Sequence, residues 1–299
     1  LPVGEYIIKE KNSANGYYYD KDGIKFKITN LSNGVVEGMS KVSSTMVDNL
    51  VKISFTKEDI YKYYNSTDKA KIDQNEKLLD TAKFVLKDSN GNILKLKKLS
   101  NGSYRYYPVN DQNAVTEINT YNGKLSISHL KNSSKYILEE VKSPDGFILP
   151  DPHPEIAYNI GKNKPESDKD SSITQVIENV PTRVKIEKRS LKDGYLIDNE
   201  KVRFELYKCS DSTCKDKNRI YVTERKFVPD ANGNLEYAYK YSKLNAKTNT
   251  EITTYKGYIV FRYLPKGKYV LVETEAPKGY DLPVGENANT YFDVSGSSV

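Results

Sequence analysis

Tryptophan is absent from this 299-residue chain, and methionine, histidine and cysteine occur twice each. A zinc site needs about four ligands. Cys209 and Cys214, in "KCSDSTCK", would need two more, and His129 and His153 lie far off in sequence. No metal or cofactor is therefore expected. The cysteines are either a small disulfide pinning a loop in an oxidising compartment or a pair of free thiols. There is no Ser/His/Asp set and no phosphate-binding loop, so an enzyme that turns over a substrate has little support. No apolar run approaches the roughly 18 residues of a membrane span. The chain opens on a strand-like segment rather than a charged-then-apolar leader, as a mature or trimmed secreted form would.

Apolar residues are also scarce, at 37%. That is lean for one large core but suits β-sandwiches, whose strands have one dry and one wet face. The length suggests about two domains. Basic residues outnumber acidic ones by 46 to 40, and the excess is scattered. Without a basic stripe carrying interleaved aromatics, this reads as solvated sheet faces, not a nucleic-acid surface.

What the chain has in quantity is repetition. "GKYVLVETEAPKGY" at 267–280 restates "SKYILEEVKSPDGF" at 134–147 and "GEYIIKEKNSANGY" at 4–17. The shared glutamates, Glu10, Glu140 and Glu273, are 130 and 133 residues apart. Upstream, "YNGKLSISHLKNSSKY" (121–136) aligns with "YKGYIVFRYLPKGKY" (255–269), and the opening "LPVGEY" aligns with "LPKGKY". Downstream, "MVDNLVKISFTKED" (46–59) parallels "VIENVPTRVKIEKRS" (176–190), with Asn49 and Asn179 each 39 residues past a glutamate. The expected division is a C-terminal part of a domain at 1–49, a complete domain at 50–181, and a domain at 182–299 lacking its closing strand.

Runs such as "AKFVLKD", "VRFELYK" and "YIVFRYL" alternate apolar and polar residues, and "DSNGN", "DANGN" and "SPDG" punctuate them, so the fold class is all-β. The Pro-x-Gly of the repeated phrase fits a type I turn with Pro at i+1. A polar insertion at roughly 60–79 is the one place for a short helix. Side chains alternate faces along a strand, so parity assigns partners. Tyr269, Leu271 and Glu273 share a face, as do Tyr136, Leu138 and Glu140, and Tyr6, Ile8 and Glu10. Ile53, Phe55 and Lys57 share another, as do Val184, Ile186 and Lys188. Val47 goes with Asn49, and Ile177 with Asn179. Each full unit thus turns a lysine, a glutamate and an asparagine inward.

Burial favours the neutral forms of lysine and glutamate, because both charged forms lose hydration. A neutral amine is a nucleophile, and a polarised carboxamide is an electrophile. A protonated glutamate can hydrogen-bond the asparagine carbonyl and carry protons to departing ammonia. Holding these groups in contact supplies roughly 7–11 kcal/mol of the barrier. The expected product is a Lys–Asn amide formed once, without turnover.

The phrase Y-x-L-x-E-T-x-A-P-x-G-Y at 269–280 resembles the E-box of Gram-positive pilins and surface adhesins. "VKIEKRSLKDG" and "VIENVP" resemble the first and last strands of CnaB-type, prealbumin-like domains in that family. The resemblance implies tandem Ig-like sandwiches and a Lys57–Asn179 isopeptide bond with Glu140 as catalyst. It assigns Glu10 and Asn49 to a preceding domain, and Lys188 and Glu273 to a following one. It implies a cell-wall-anchored, extracellular location. The implied partners are neighbouring domains or subunits of one fibre, with sortase and a host ligand met through other domains. Thr274 has no counterpart at Val141 or Lys11, nor Pro277 at Ala14. The pilin motifs Y-P-K and L-P-x-T-G are missing, with "RYYPVN" (105–110) and "LPVGE" in their stead. A pilus shaft and an adhesin stalk both satisfy this pattern. A ligand-binding adhesin domain, using loops such as 60–79 and 209–218, is the competing reading.

Overall fold

The computed structural model describes residues 1–19, 22–28, 48–59, 81–106, 111–163, 172–223, 226–229, 235–241 and 251–296. The insertion at 60–79, Val47, the "DANGN" turn and most of "RYYPVN" lie outside them. Among the described residues twenty strands run in chain order. They are β1 (Gly4–Ile8), β2 (Ile24–Ile28), β3 (Lys52–Asp59), β4 (Lys83–Lys87), β5 (Leu96–Lys98), β6 (Tyr104–Tyr106) and β7 (Glu117–Asn119). Next come β8 (Lys124–Ser128), β9 (Ser134–Lys142), β10 (Glu155–Ile160), β11 (Ser172–Asn179), β12 (Arg183–Glu187), β13 (Arg203–Cys209) and β14 (Lys217–Ile220). The last are β15 (Lys226–Pro229), β16 (Leu235–Lys240), β17 (Ile252–Thr253), β18 (Tyr258–Arg262), β19 (Gly267–Glu275) and β20 (Asn289–Val294). A 3-10 turn at Gly285–Ala288 is the only helical element named among the described residues. The fold is all-β.

By backbone contacts the chain forms two compact units, 1–56 with 84–139 and 155–175, and 57–83 with 140–154 and 176–299. The strands form one sheet pair, β10-β9-β4-β7 and β11-β3-β8-β6-β5, and a second, β12-β18-β16-β15 and β14-β13-β19-β20. The wiring repeats: β3 pairs antiparallel with β8 as β12 does with β18, and β6 runs parallel to β8 as β16 does to β18. Outside β3 lies β11, whereas β12 ends its sheet among the described residues. Alternation does the packing. Phe55 of β3 meets Phe84 of β4 edge to face with ring centroids 4.7 Å apart, joining the first two sheets. In the second pair Phe204, Leu206, Tyr239, Ile259, Phe261, Tyr269 and Leu271 form one buried cluster drawn from both sheets. Burying such side chains contributes about 1.5–3 kcal/mol each. Cys209, ending β13, is joined to Cys214 by a disulfide with Cα atoms 4.7 Å apart, inside the usual range.

Two expectations change. The inward face assigned to Tyr6, Ile8 and Glu10 is not dry, since Ile8 is 57% exposed. Strand β1 pairs with β2 in a two-stranded sheet, and a face dries only when a second layer covers it. The turn of the repeated phrase is also not type I with Pro at i+1. The Phe147 amide donates to the Pro144 carbonyl at 3.0 Å, which puts Pro at i and Gly146, with φ +88°, at i+2. That is a type II turn, which requires glycine there.

The same glycine is pressed against the next segment. A Cβ at Gly146 would collide with the backbone of Tyr263, while one at Gly279 (φ +84°) would meet nothing within 4 Å. Both positions carry a left-handed penalty of roughly 1–2 kcal/mol for any side chain. Gly146→Ala should therefore lower the melting midpoint clearly more than Gly279→Ala, measured side by side by calorimetry.

Candidate cross-linking site

Lys57, Glu140 and Asn179 arrive from three strands. Lys57 extends the inward series Ile53, Phe55 along β3, and Glu140 extends Tyr136, Leu138 along β9 of the facing sheet. Asn179 closes β11, the neighbour of β3, two residues after buried Ile177. All three are buried, with 1% of Lys57 exposed, and all three belong to the second compact unit.

The Lys57 Nζ donates to Glu140 Oε2 at 2.8 Å, and Asn179 Nδ2 donates to the same oxygen at 3.3 Å. Asn179 Nδ2 also donates to the Ile148 carbonyl at 3.2 Å. One carboxyl oxygen thus sits between amine and amide nitrogen. The acid therefore faces the amide nitrogen and not the asparagine carbonyl expected from the sequence. Ile148 O, an acceptor only, holds the amide with its nitrogen toward the acid, and Asn179 Oδ1 and Glu140 Oε1 have no hydrogen-bond partner among the described residues.

Desolvation dominates the electrostatics. Burial pulls the Lys57 amine down to about 8 from its usual 10.5, against the opposing pull of Glu140. Burial pushes Glu140 above the usual carboxylate range, against Lys57, the Asn179 hydrogen bond and His153. Each group moves toward neutrality, as the loss of hydration requires.

A second pair repeats the first. Lys188 Nζ and Glu273 Oε2 are 2.6 Å apart, and Glu273 Oε1 has no partner among the described residues. Lys188 directly follows β12 and Glu273 lies on β19 of the facing sheet, much as Lys57 lies on β3 and Glu140 on β9 opposite it. The lysine side chain here is 22% exposed, because no strand covers the outer edge of β12 among the described residues.

Asn49 is not brought to such a site: it is exposed, and Glu10 is half-buried. The register explains why. Tyr17 bridges Leu50 as Phe147 bridges Pro181, so Asn49 corresponds to Val180 and half-buried Asp48 corresponds to Asn179. The signal was in the spacing: Lys57 follows Asn49 by 8 residues, whereas Lys188 follows Asn179 by 9. Among the described residues no cluster of three or more His, Cys, Asp or Glu could hold a metal ion, and no helix is long and apolar enough to cross a membrane.

The family model for the SpaA prealbumin-like fold domain matches residues 65–172 and again residues 182–296. No curated protein matches the chain. Among solved structures it is similar to the Bacillus anthracis TIE protein, at 19% identity and a TM-score of 0.39, over 99% of this chain and 40% of that one. It is similar to a Streptococcal ancillary pilin at 17% identity and TM-score 0.32, covering 99% and 72% of the two chains. For the shaft pilin SpaA of Lactobacillus rhamnosus GG the values are 15%, 0.31, 83% and 94%. The chain thus spans 40% of the length of the TIE protein. With two matches that together take in more than half of its residues, the protein belongs to the SpaA prealbumin-like fold domain family and carries two such domains in tandem.

Proposed function

We propose that this protein is a structural module of a Gram-positive surface fibre, a pilus shaft or an adhesin stalk, whose middle domain is locked by an amide between Lys57 and Asn179. The domains run 1–49, 50–181 and 182–299. The observation that carries this reading is the position of Glu140 Oε2, 2.8 Å from the amine and 3.3 Å from the nitrogen that must leave.

The step balances within the three side chains. The neutral Lys57 Nζ attacks Asn179 Cγ, the Nζ–Cγ bond forms, and the Cγ–Nδ2 bond breaks. Glu140 gives its proton to Nδ2 and takes one from Nζ, so ammonia departs and the acid ends as it began. Burial supports the neutral pair over the ion pair, since two buried charges lose more hydration than their attraction restores without further hydrogen bonds. Lys188 and Glu273 have the same roles toward a closing strand of their own domain. In the first domain Glu10 is the matching acid, and Asp48 takes the place expected for Asn49.

Joining the first strand to the last gives the function. Tension entering at Lys57 leaves at Asn179 through the amide, and the 121 residues between carry almost none. Intact mass should fall below the calculated value by one ammonia, and a peptide map should yield Lys57 and Asn179 in one branched fragment. A mass equal to the calculated value counts against the bond.

The reaction should also depend on pH. The reactive form of the pair holds one proton, on Glu140. Above about 8, where Lys57 titrates, the pair loses that proton and the acid is ionised. Below the raised Glu140 value the amine is protonated. In chain newly made by cell-free synthesis, ammonia loss followed by mass should be fastest between these limits. It should slow as pH rises through about 8. A rate still climbing well above that pH would rule out the acid form of Glu140.

A further inference from the structure

The type II turn that follows each repeated glutamate strand occurs three times, and two of the three are occupied. At the first, the Tyr18 amide donates to the Asn49 carbonyl at 2.8 Å, the Val51 amide to the Gly16 carbonyl at 2.8 Å, and the Tyr19 amide to the Lys162 carbonyl at 2.9 Å. At the second, Ile148 donates to Val180 at 2.8 Å, Thr182 to Gly146 at 2.8 Å, and Leu149 to Gly296 at 2.9 Å. The side chains repeat as well. Tyr17 meets the His129 ring edge-on at 5.8 Å and 77°, and Phe147 meets the Tyr263 ring at 5.5 Å and 78°. His129 and Tyr263 are equivalent corner residues between β8 and β9 and between β18 and β19, each before a buried leucine. Both are left-handed, with φ of 59° and 65°. Cβ atoms at Gly16 or Gly146 would strike these corners.

The third copy has the same shape, and among the described residues nothing is bonded to it as at the other two. Tyr280 donates to Pro277 at 3.0 Å and Gly279 has φ +84°, so the turn is built as at Gly146. The Gly279 carbonyl and the Asp281 and Leu282 amides make no backbone hydrogen bond among the described residues. Tyr280 is 48% exposed and Leu282 44%, against 4% for Phe147. Other exposed aromatics, such as Tyr195 and Tyr255, have no occupied counterpart that would indicate their partner.

We propose that Gly279–Leu282 is a docking seat for one further sandwich module of this same fold. The connector entering the incoming module supplies a carbonyl to Asp281, as Asn49 and Val180 do at the occupied seats, and the residue just before that module's first strand supplies an amide to the Gly279 carbonyl, as Val51 and Thr182 do. The module sets a ring-bearing, left-handed corner residue edge-on to Tyr280, and the Leu282 amide takes a carbonyl two residues past its tenth-strand equivalent. The side chains cover apolar surface, and the hydrogen bonds common to both occupied seats are main chain to main chain; Asn132 at the first and Thr182 at the second add a side-chain bond of their own. The seat rests on the tandem-module reading and not on the amide.

The test extends the full chain. Strand pairing makes Val294 equivalent to Ile160 and Ile28, because Gly267, Ser134 and Gly4 are their partners. Residues 163–299 of the same protein are therefore joined after Gly296, and amide hydrogen exchange is read by mass spectrometry. Exchange at 277–284 should slow on the order of 100-fold relative to the unextended chain, to the level of 144–151 in the same molecule. Tyr280→Asp in the extended chain should return it to the fast rate. A second extension, with residues 31–181, presents the other observed corner and guards against misfolding of the first. If 277–284 exchanges freely in both while 144–151 stays protected, the proposal is wrong. The ammonia count in the intact mass reads the cross-link separately.

Discussion

Glu140→Gln should restore the missing ammonia in full and leave the middle domain meltable. The substitution keeps the shape of the side chain and its contact with Asn179, but an amide cannot relay a proton from Nζ to Nδ2. Losing the bond returns the closure entropy of a 121-residue loop to the unfolded chain, about 4–5 kcal/mol on the chain-entropy model. For a domain of this size the melting midpoint should drop by roughly 10–20 °C. Glu140→Ala should lose the same bond and fall further, since it strands the buried Lys57 amine at a cost of about 3–5 kcal/mol. Intact mass and calorimetry on the three proteins decide it. Full ammonia loss in the glutamine variant would remove Glu140 from the mechanism while leaving the bond intact.

The second large effect is mechanical. Pulled from its ends, the natural chain should show no release of length from the middle domain. Asn179→Ala should release 121 residues, about 400 Å of contour at 3.3–3.6 Å per residue. Force spectroscopy reads this directly as a step present in the variant and absent in the parent. A step of that size in both would mean that tension passes through the folded domain and not around it.

The inward triad was legible because period-2 alternation over eight- and nine-residue strands leaves no freedom in which face a residue takes. Ile53, Phe55 and Lys57 could share only one side, and they do. Asn49 was misplaced because it lies outside any named strand, before β3, where one residue more or less changes the partner. Alternation says nothing there. The exposure of Ile8 depended on whether a second layer lies over β1, which a strand's own pattern does not encode. The orientation of the Asn179 amide is set by the Ile148 carbonyl, a backbone group that no side-chain pattern announces. The seats at Gly16 and Gly146 were read only as turns. Their partners, His129 and Tyr263, are 113 and 117 residues away, and a left-handed corner leaves no periodic trace.

The three hydrogen bonds that both seats share run between main-chain atoms, and the consequence is a tolerance for change. Tyrosine gives way to phenylalanine on one side, histidine to tyrosine on the other, and leucine to proline in the bridging segment before the next strand, yet the bond lengths agree within 0.1 Å. The glycine, the corner geometry and the edge-on pair of rings are held. Modules joined by such a grammar can diverge in nearly every outward residue and still be spliced, duplicated or exchanged without relearning how to connect.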